Sequence, residues 1–106
     1  MSEESSTKRK MPVKLSDVLK LDGEYKGWEF KARLNPPLSI FEDIGSGRFD
    51  RIITGLSKVV VWWNFVDEEG EPLLSPNEGG CRQISTDLAG EVVRVYTERL
   101  TDLPPG

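Results

Sequence analysis

Between Trp28 and Leu34 the chain alternates without a break. Trp28, Phe30, Ala32 and Leu34 fall on one side, and Glu29, Lys31 and Arg33 on the other. A period of two with one apolar side is the pattern of a strand with one face on a core and one in water. Its backbone donors and acceptors need partners, so the chain must build a sheet around this segment. The partner is either Val18–Tyr25, folded back as a hairpin, or the edge of another subunit's sheet. Asp22-Gly23 is a turn signal, and Gly27 marks a second bend or a bulge. Just upstream, Leu15–Leu19 reads as one helical turn with Ser16 as its N-cap.

Asn35-Pro36-Pro37 ends the strand, because proline cannot donate to a ladder and suits the start of a helix. Ser39-Ile40-Phe41-Glu42 matches a capping box, with Asn35 as a rival cap. That predicts a short helix to about Ile44, interrupted by Gly45-Ser46-Gly47. A stronger helix is predicted over Arg48–Trp63, where Phe49, Ile52, Ile53, Leu56, Val59, Val60 and Trp63 keep the 3.6-residue spacing. Gly55 weakens it by about 1 kcal/mol relative to alanine and suits close packing by a neighbour. Val59–Trp63 alone would pass for a strand, but the longer helical period outweighs it. Residues 67–83 read as a long loop containing Gly79-Gly80. A last helix is predicted over Thr86–Thr101, with Leu88, Ala89, Val92, Val93, Tyr96 and Leu100 as its apolar stripe and Ser85 or Thr86 as its cap. These elements predict an α+β fold: a small antiparallel β element near the N-terminus, followed by two to three α-helices. The polar residues 1–12 read as a disordered tail and 13–103 as one small domain.

Composition excludes several functions. Among 106 residues there is no histidine and one cysteine, Cys81. Ser-His-Asp and Cys-His catalysis are out, as are an internal disulfide and the usual zinc sites. Neither a secretory signal nor an apolar run of bilayer-spanning length is present, so the expectation is a soluble intracellular chain with no membrane partner. The first twenty residues hold five basic and three acidic side chains; the rest hold nine basic and fifteen acidic. An acidic body disfavours phosphate backbones, so no nucleic-acid partner is expected.

The chemical candidates are thin. Asp67, Glu68, Glu69 and Glu71 lack EF-hand spacing and read as a solvated turn. Gly45-Ser46-Gly47 lacks the lysine that a phosphate-binding loop requires. Cys81 lies beside Arg82 without an imidazole base and reads as a bystander. No catalytic, cofactor-binding or metal-ligating residue is assigned, and no cofactor is expected. Val61 and Trp62 fall outside the apolar stripe of the Arg48–Trp63 helix. Its last turn is therefore apolar nearly all round, covered either by another chain, with both residues as self-association candidates, or by strand 28–34 or loop 67–83.

Trp63-Asn64-Phe65, followed by Asp67, Gly70 and Pro72, spells W-N-F-x-D-x-x-G-x-P. Each member has an expected structural role. Trp63 anchors the helix end, Asn64 caps it in a left-handed conformation, and Asp67 accepts backbone N–H groups in its own turn. Gly70 supplies a positive φ and Pro72 fixes the exit. The motif, lying between two amphipathic segments, resembles that of the tail assembly chaperones of long-tailed, siphovirus-type bacteriophages. Leu34-Asn35-Pro36-Pro37-Leu38 also resembles the strand-to-helix junction of that group. The resemblance spans about residues 18–101, with a more glycine-rich Ser75–Gln83 loop and Ile84-Ser85 where Leu-Pro is common. It implies a non-enzymatic assembly factor in the cytoplasm of the infected bacterial host. Such a factor binds the tape measure protein, keeps it soluble during tail tube assembly, and self-associates. The alternative is a structural virion component such as a tail completion or head–tail connector protein. An acidic nucleic-acid mimic is disfavoured because its carboxylates are interspersed with Arg33, Arg48, Arg51, Arg94 and Arg99.

Overall fold

Strands β1 (Ser16–Lys20) and β2 (Glu29–Arg33) pair antiparallel, with Leu19 opposite Phe30 and Val18 opposite Lys31. They belong to a computed structural model that describes residues 15–101. The tail expected at 1–12, the start of order near Val13 and the end of the domain at 103 lie outside those residues. Of the two partners open to the Trp28–Leu34 strand, the hairpin forms. The helical turn expected at Leu15–Leu19 does not. An isolated turn would leave one edge of β2 unpaired, whereas the extended segment gives it a five-residue ladder. A 3-10 turn, Gly23–Tyr25, and Gly27 at φ +94° connect the two strands, so Gly27 marks a bend.

Helix α1 (Leu38–Ile44) follows the prolines. Its N-cap is Pro37, whose carbonyl accepts from Ile40 and Phe41. The capping box from Ser39 to Glu42 is therefore not formed. Pro37 starts the helix one residue before Ser39, so Ser39 already lies inside it and its spacing to Glu42 is out of phase. Helix α2 (Phe49–Val59) packs on α1, and Arg51 pairs with Asp43 at 2.7 Å across the joint. At their contact, a Cβ built on Gly55 would lie 2.7 Å from Ile44 Cγ1 and 3.3 Å from the Ile40 carbonyl oxygen. This is the close packing its sequence position suggested.

The predicted Arg48–Trp63 helix is cut short. It runs only to Val59, and Val60–Trp63 turns into strand β3 on the other edge of β2, giving the sheet order β1-β2-β3. The reason is periodicity shared by two structures. Val59, Val60 and Trp63 are apolar at helical spacing, yet Val60 and Trp63 also face the core from a strand. The unpaired edge of β2 selects the strand. Phe49, assigned to the apolar stripe, is half exposed at the helix start.

Helix α3 (Thr86–Thr101) forms as predicted, and Ser85 is the cap, its Oγ accepting from the Leu88 N–H at 3.1 Å. Leu88, Ala89, Val92 and Tyr96 are buried, while Val93 and Leu100 are partly so. The core joins Leu19, Phe30 and Ala32 from the sheet to Ile44, Leu56 and Val59 from α1 and α2 and to Leu88, Val92 and Tyr96 from α3. The Tyr96 hydroxyl donates to the Arg33 carbonyl, tying α3 to β2. Among the described residues the fold is α+β: a three-stranded antiparallel sheet and three α-helices, with β3 following α2 in the chain.

Candidate interaction site

The sheet has one face on the core and, among the described residues, one without a helix over it. On the open face the register aligns Val18, Lys31 and Trp62 in one row across all three strands. Lys31 pairs with Trp62 but Ala32 pairs with Val60, so Val61 is an extra residue and β3 is bulged there. A bulge lets two successive residues leave the core side together. Val61 and Trp62 are accordingly 42% and 45% exposed between buried Val60 and Trp63, and Val18 is 40% exposed. The sequence placed Val61 and Trp62 on a helix apolar all round. Their location on a bulged strand corrects that geometry. Val18, missed from sequence because Leu15–Leu19 read as helical, completes the patch.

The W-N-F-x-D-x-x-G-x-P segment holds the end of this sheet. Trp63 is buried, stacks on Phe65 with centroids 4.6 Å apart, and donates from Nε1 to the Leu74 carbonyl at 3.1 Å. Asn64 does not cap a helix in a left-handed conformation, because the helix ends five residues earlier. Instead its Oδ1 accepts from Glu29 N–H at 2.8 Å and its Nδ2 donates to the Gly27 carbonyl at 3.1 Å. The capping role at α2 falls to Asn77, whose Nδ2 donates to the carbonyls of Ser57 at 2.7 Å and Val60 at 3.0 Å. Ser75-Pro76-Asn77 carries a turn signal, but nothing local ties it to a helix twenty residues upstream.

Asp67 does what its motif position suggested: Oδ1 accepts from the N–H groups of Glu69 at 2.8 Å and Glu71 at 3.0 Å. Gly70 adopts φ +84°, and Pro72 bridges back to Val66. Gly80, read only as part of a loop, is wedged beneath Trp63. A Cβ there would lie 2.6 Å from Trp63 Cζ2 and closer still to the Leu74 carbonyl oxygen.

Glu68, Glu69 and Glu71 are exposed around the Asp67 turn. Cys81 is buried, and burial pushes its thiol up to about 11, which keeps it protonated and unreactive at neutral pH. Among the described residues, no group of three His, Cys, Asp or Glu side chains is placed to hold a metal, and no helix is long and apolar enough to cross a membrane.

A second feature lies at the hairpin end of the sheet. A groove of about 560 Å³ is lined by Tyr25, Trp28, Leu73, Ile84 and Leu88 together with the polar Asp67, Glu68, Gln83 and Ser85. Tyr25 and Trp28 meet edge to face at 5.4 Å. Past Tyr25 lies a hollow of about 430 Å³ lined by Asp22, Glu24, Asp87 and Glu91. No local pattern signals this groove, because its walls come from three separate segments.

The chain matches no known family model, no curated protein and no solved structure.

Proposed function

We propose that this protein is a non-enzymatic phage tail assembly chaperone. In this reading it binds apolar segments of the tape measure protein on the open face of its sheet and keeps that client soluble until tube protein polymerises around it. The observation that supports the reading most is the row Val18–Lys31–Trp62 with Val61 beside it, where three exposed apolar side chains flank one lysine with no helix over them among the described residues. Burying such side chains stabilises a contact by about 25 cal/mol per Å² of apolar area, and lost rigid-body freedom offsets part of that. A moderate, reversible hold suits a client that must later be released. Self-association over the same face protects it when client is absent, so copies and client compete.

The W-N-F-x-D-x-x-G-x-P turn supports the reading through the family resemblance, which is an analogy of motif rather than of chemistry. The side chains of Trp63, Asn64 and Asp67 bond within the fold, so the motif sets the shape of the sheet end beside the patch.

The test is Val61→Ser with Trp62→Ser, co-expressed with the tape measure protein. Both side chains are exposed, so the variant should keep the wild-type circular dichroism and melting behaviour while its client precipitates. A folded variant that still holds the client soluble rules out this face. Finding the protein as a stoichiometric part of purified virions supports the structural-component alternative.

A further inference from the structure

We propose that residues Lys8–Lys14 of one copy seat in the Tyr25–Trp28–Leu73–Ile84 groove of a second copy, so that two chains exchange their N-terminal arms. This contact is separate from the open sheet face and stands whether or not the chaperone reading holds.

The groove selects by chemistry. Its lining combines apolar and aromatic side chains with Gln83 and Ser85, and four carboxylates lie in or beside it: Asp67 and Glu68 in the lining, Glu24 and Asp87 in the adjoining hollow, where Asp22 and Glu91 already pair with Arg94. Among the described residues, none of these four carboxylates has an ion-pair partner. A fitting occupant is therefore a short segment with a few apolar side chains flanked by cations. The chain contains one: Lys8-Arg9-Lys10-Met11-Pro12-Val13-Lys14, with four cations around Met11 and Val13.

Reach decides which copy's groove is filled. Leu15 lies at the far end of the sheet, where its carbonyl accepts from Leu34 N–H at 2.8 Å. Leu21, bonded to Trp28, marks the groove end. Six residues of strand separate them, about 20 Å at roughly 3.4 Å per residue. A fully extended chain covers at most about 3.6 Å per residue. Running back from Leu15, Val13 thus reaches at most about 7 Å and Met11 about 14 Å, so the two apolar side chains fall short of their own groove, although Lys8 at about 25 Å does not. Only a neighbour's groove is available to them. Reciprocal exchange gives a closed two-fold pair, and its ionic part weakens as salt rises.

A charge-exchange experiment tests this on the full chain. One variant reverses the arm (Lys8→Glu, Arg9→Glu, Lys10→Glu), and the other reverses the groove surroundings at exposed positions (Glu24→Lys, Glu68→Lys). Sedimentation velocity on nuclease-treated protein should show a wild-type dimer that salt dissociates. Each variant alone should dimerise at least tenfold more weakly, and an equimolar mixture should regain the wild-type affinity, because each arm then meets a groove of opposite sign. Docking within one copy cannot be rescued by mixing. The proposal is overturned if the wild type is monomeric, if both variants dimerise as it does, if mixing restores nothing, or if nuclease treatment abolishes the dimer. A dimer lost only in Val61→Ser, Trp62→Ser assigns self-association to the sheet face alone. Client solubility retained by the arm-reversed variant leaves the chaperone reading intact whatever the dimer does.

Discussion

Asn64 extends the sheet by one residue beyond β3 through a double contact with Glu29. Its backbone N–H donates to the Glu29 carbonyl at 3.2 Å, and its side-chain Oδ1 accepts from the Glu29 N–H at 2.8 Å. The Nδ2 bond to Gly27 then fixes the corner where the hairpin enters β2. An amide is required, because one end must accept and the other donate.

Asn64→Asp should therefore destabilise the fold although it is nearly isosteric. The carboxylate keeps the bond from Glu29 but sets a second acceptor against the Gly27 carbonyl. A loss of about 1–2 kcal/mol is expected, measured by urea denaturation at neutral pH. An unchanged midpoint would show that the Gly27 contact contributes nothing.

Trp63→Ala should cost about 3–5 kcal/mol through the cavity it leaves. It removes the stacking on Phe65, the bond to Leu74 and the ring that Gly80 packs against. Such a loss is a large part of a small domain's stability. A measured loss under about 1 kcal/mol would exclude Trp63 from the core.

Gly55→Ala sets helix propensity against packing. Alanine gains about 1 kcal/mol of propensity inside α2, but its methyl group collides with Ile44 and crowds the Ile40 backbone, and overpacking typically costs about 1–3 kcal/mol. Packing should win, with a net destabilisation. Gly80→Ala has no offsetting gain and meets backbone oxygen as well as Trp63, so its thermal midpoint should fall further than that of Gly55→Ala. Equal or raised midpoints would refute the contacts.

Alkaline pH should unfold the domain early. Burial raises the Cys81 thiol from 9.0 to about 11, and burial, partly opposed by the Arg33 charge, raises the Tyr96 phenol from 10.0 to about 12. Both groups therefore hold their protons in the folded chain at pH values where the unfolded chain has released them. Stability is full below the unfolded values and falls as pH climbs through the window between about 9 and about 12. Urea midpoints measured across that window should decline for the wild type and decline less between about pH 9 and about pH 11 in Cys81→Ala. A flat profile for the wild type would show that neither group is shielded from solvent.

Short-range periodicity and turn chemistry made part of this fold legible along the chain. The alternation from Trp28 to Leu34 demanded a strand and a partner. The stripe from Leu88 to Tyr96 demanded a helix, and Asp67, Gly70 and Pro72 demanded a turn. In each, one secondary structure satisfies both the local backbone and the apolar face. Tertiary structure decided where two structures satisfied them equally. Val60 and Trp63 bury their side chains from a helix or from a strand, and only the open edge of β2 selects the strand. Leu15–Leu19 was settled by the opposite edge in the same way. The caps moved for a related reason: Pro37 pre-empted Ser39, and once α2 stopped at Val59 its exposed carbonyls were met by Asn77, leaving Asn64 to bind Glu29 and Gly27. Val61 and Trp62 were legible as residues without a place in the core. That they share an open face with Val18 depended on a bulge, and a bulge is a property of paired strands that no single segment encodes.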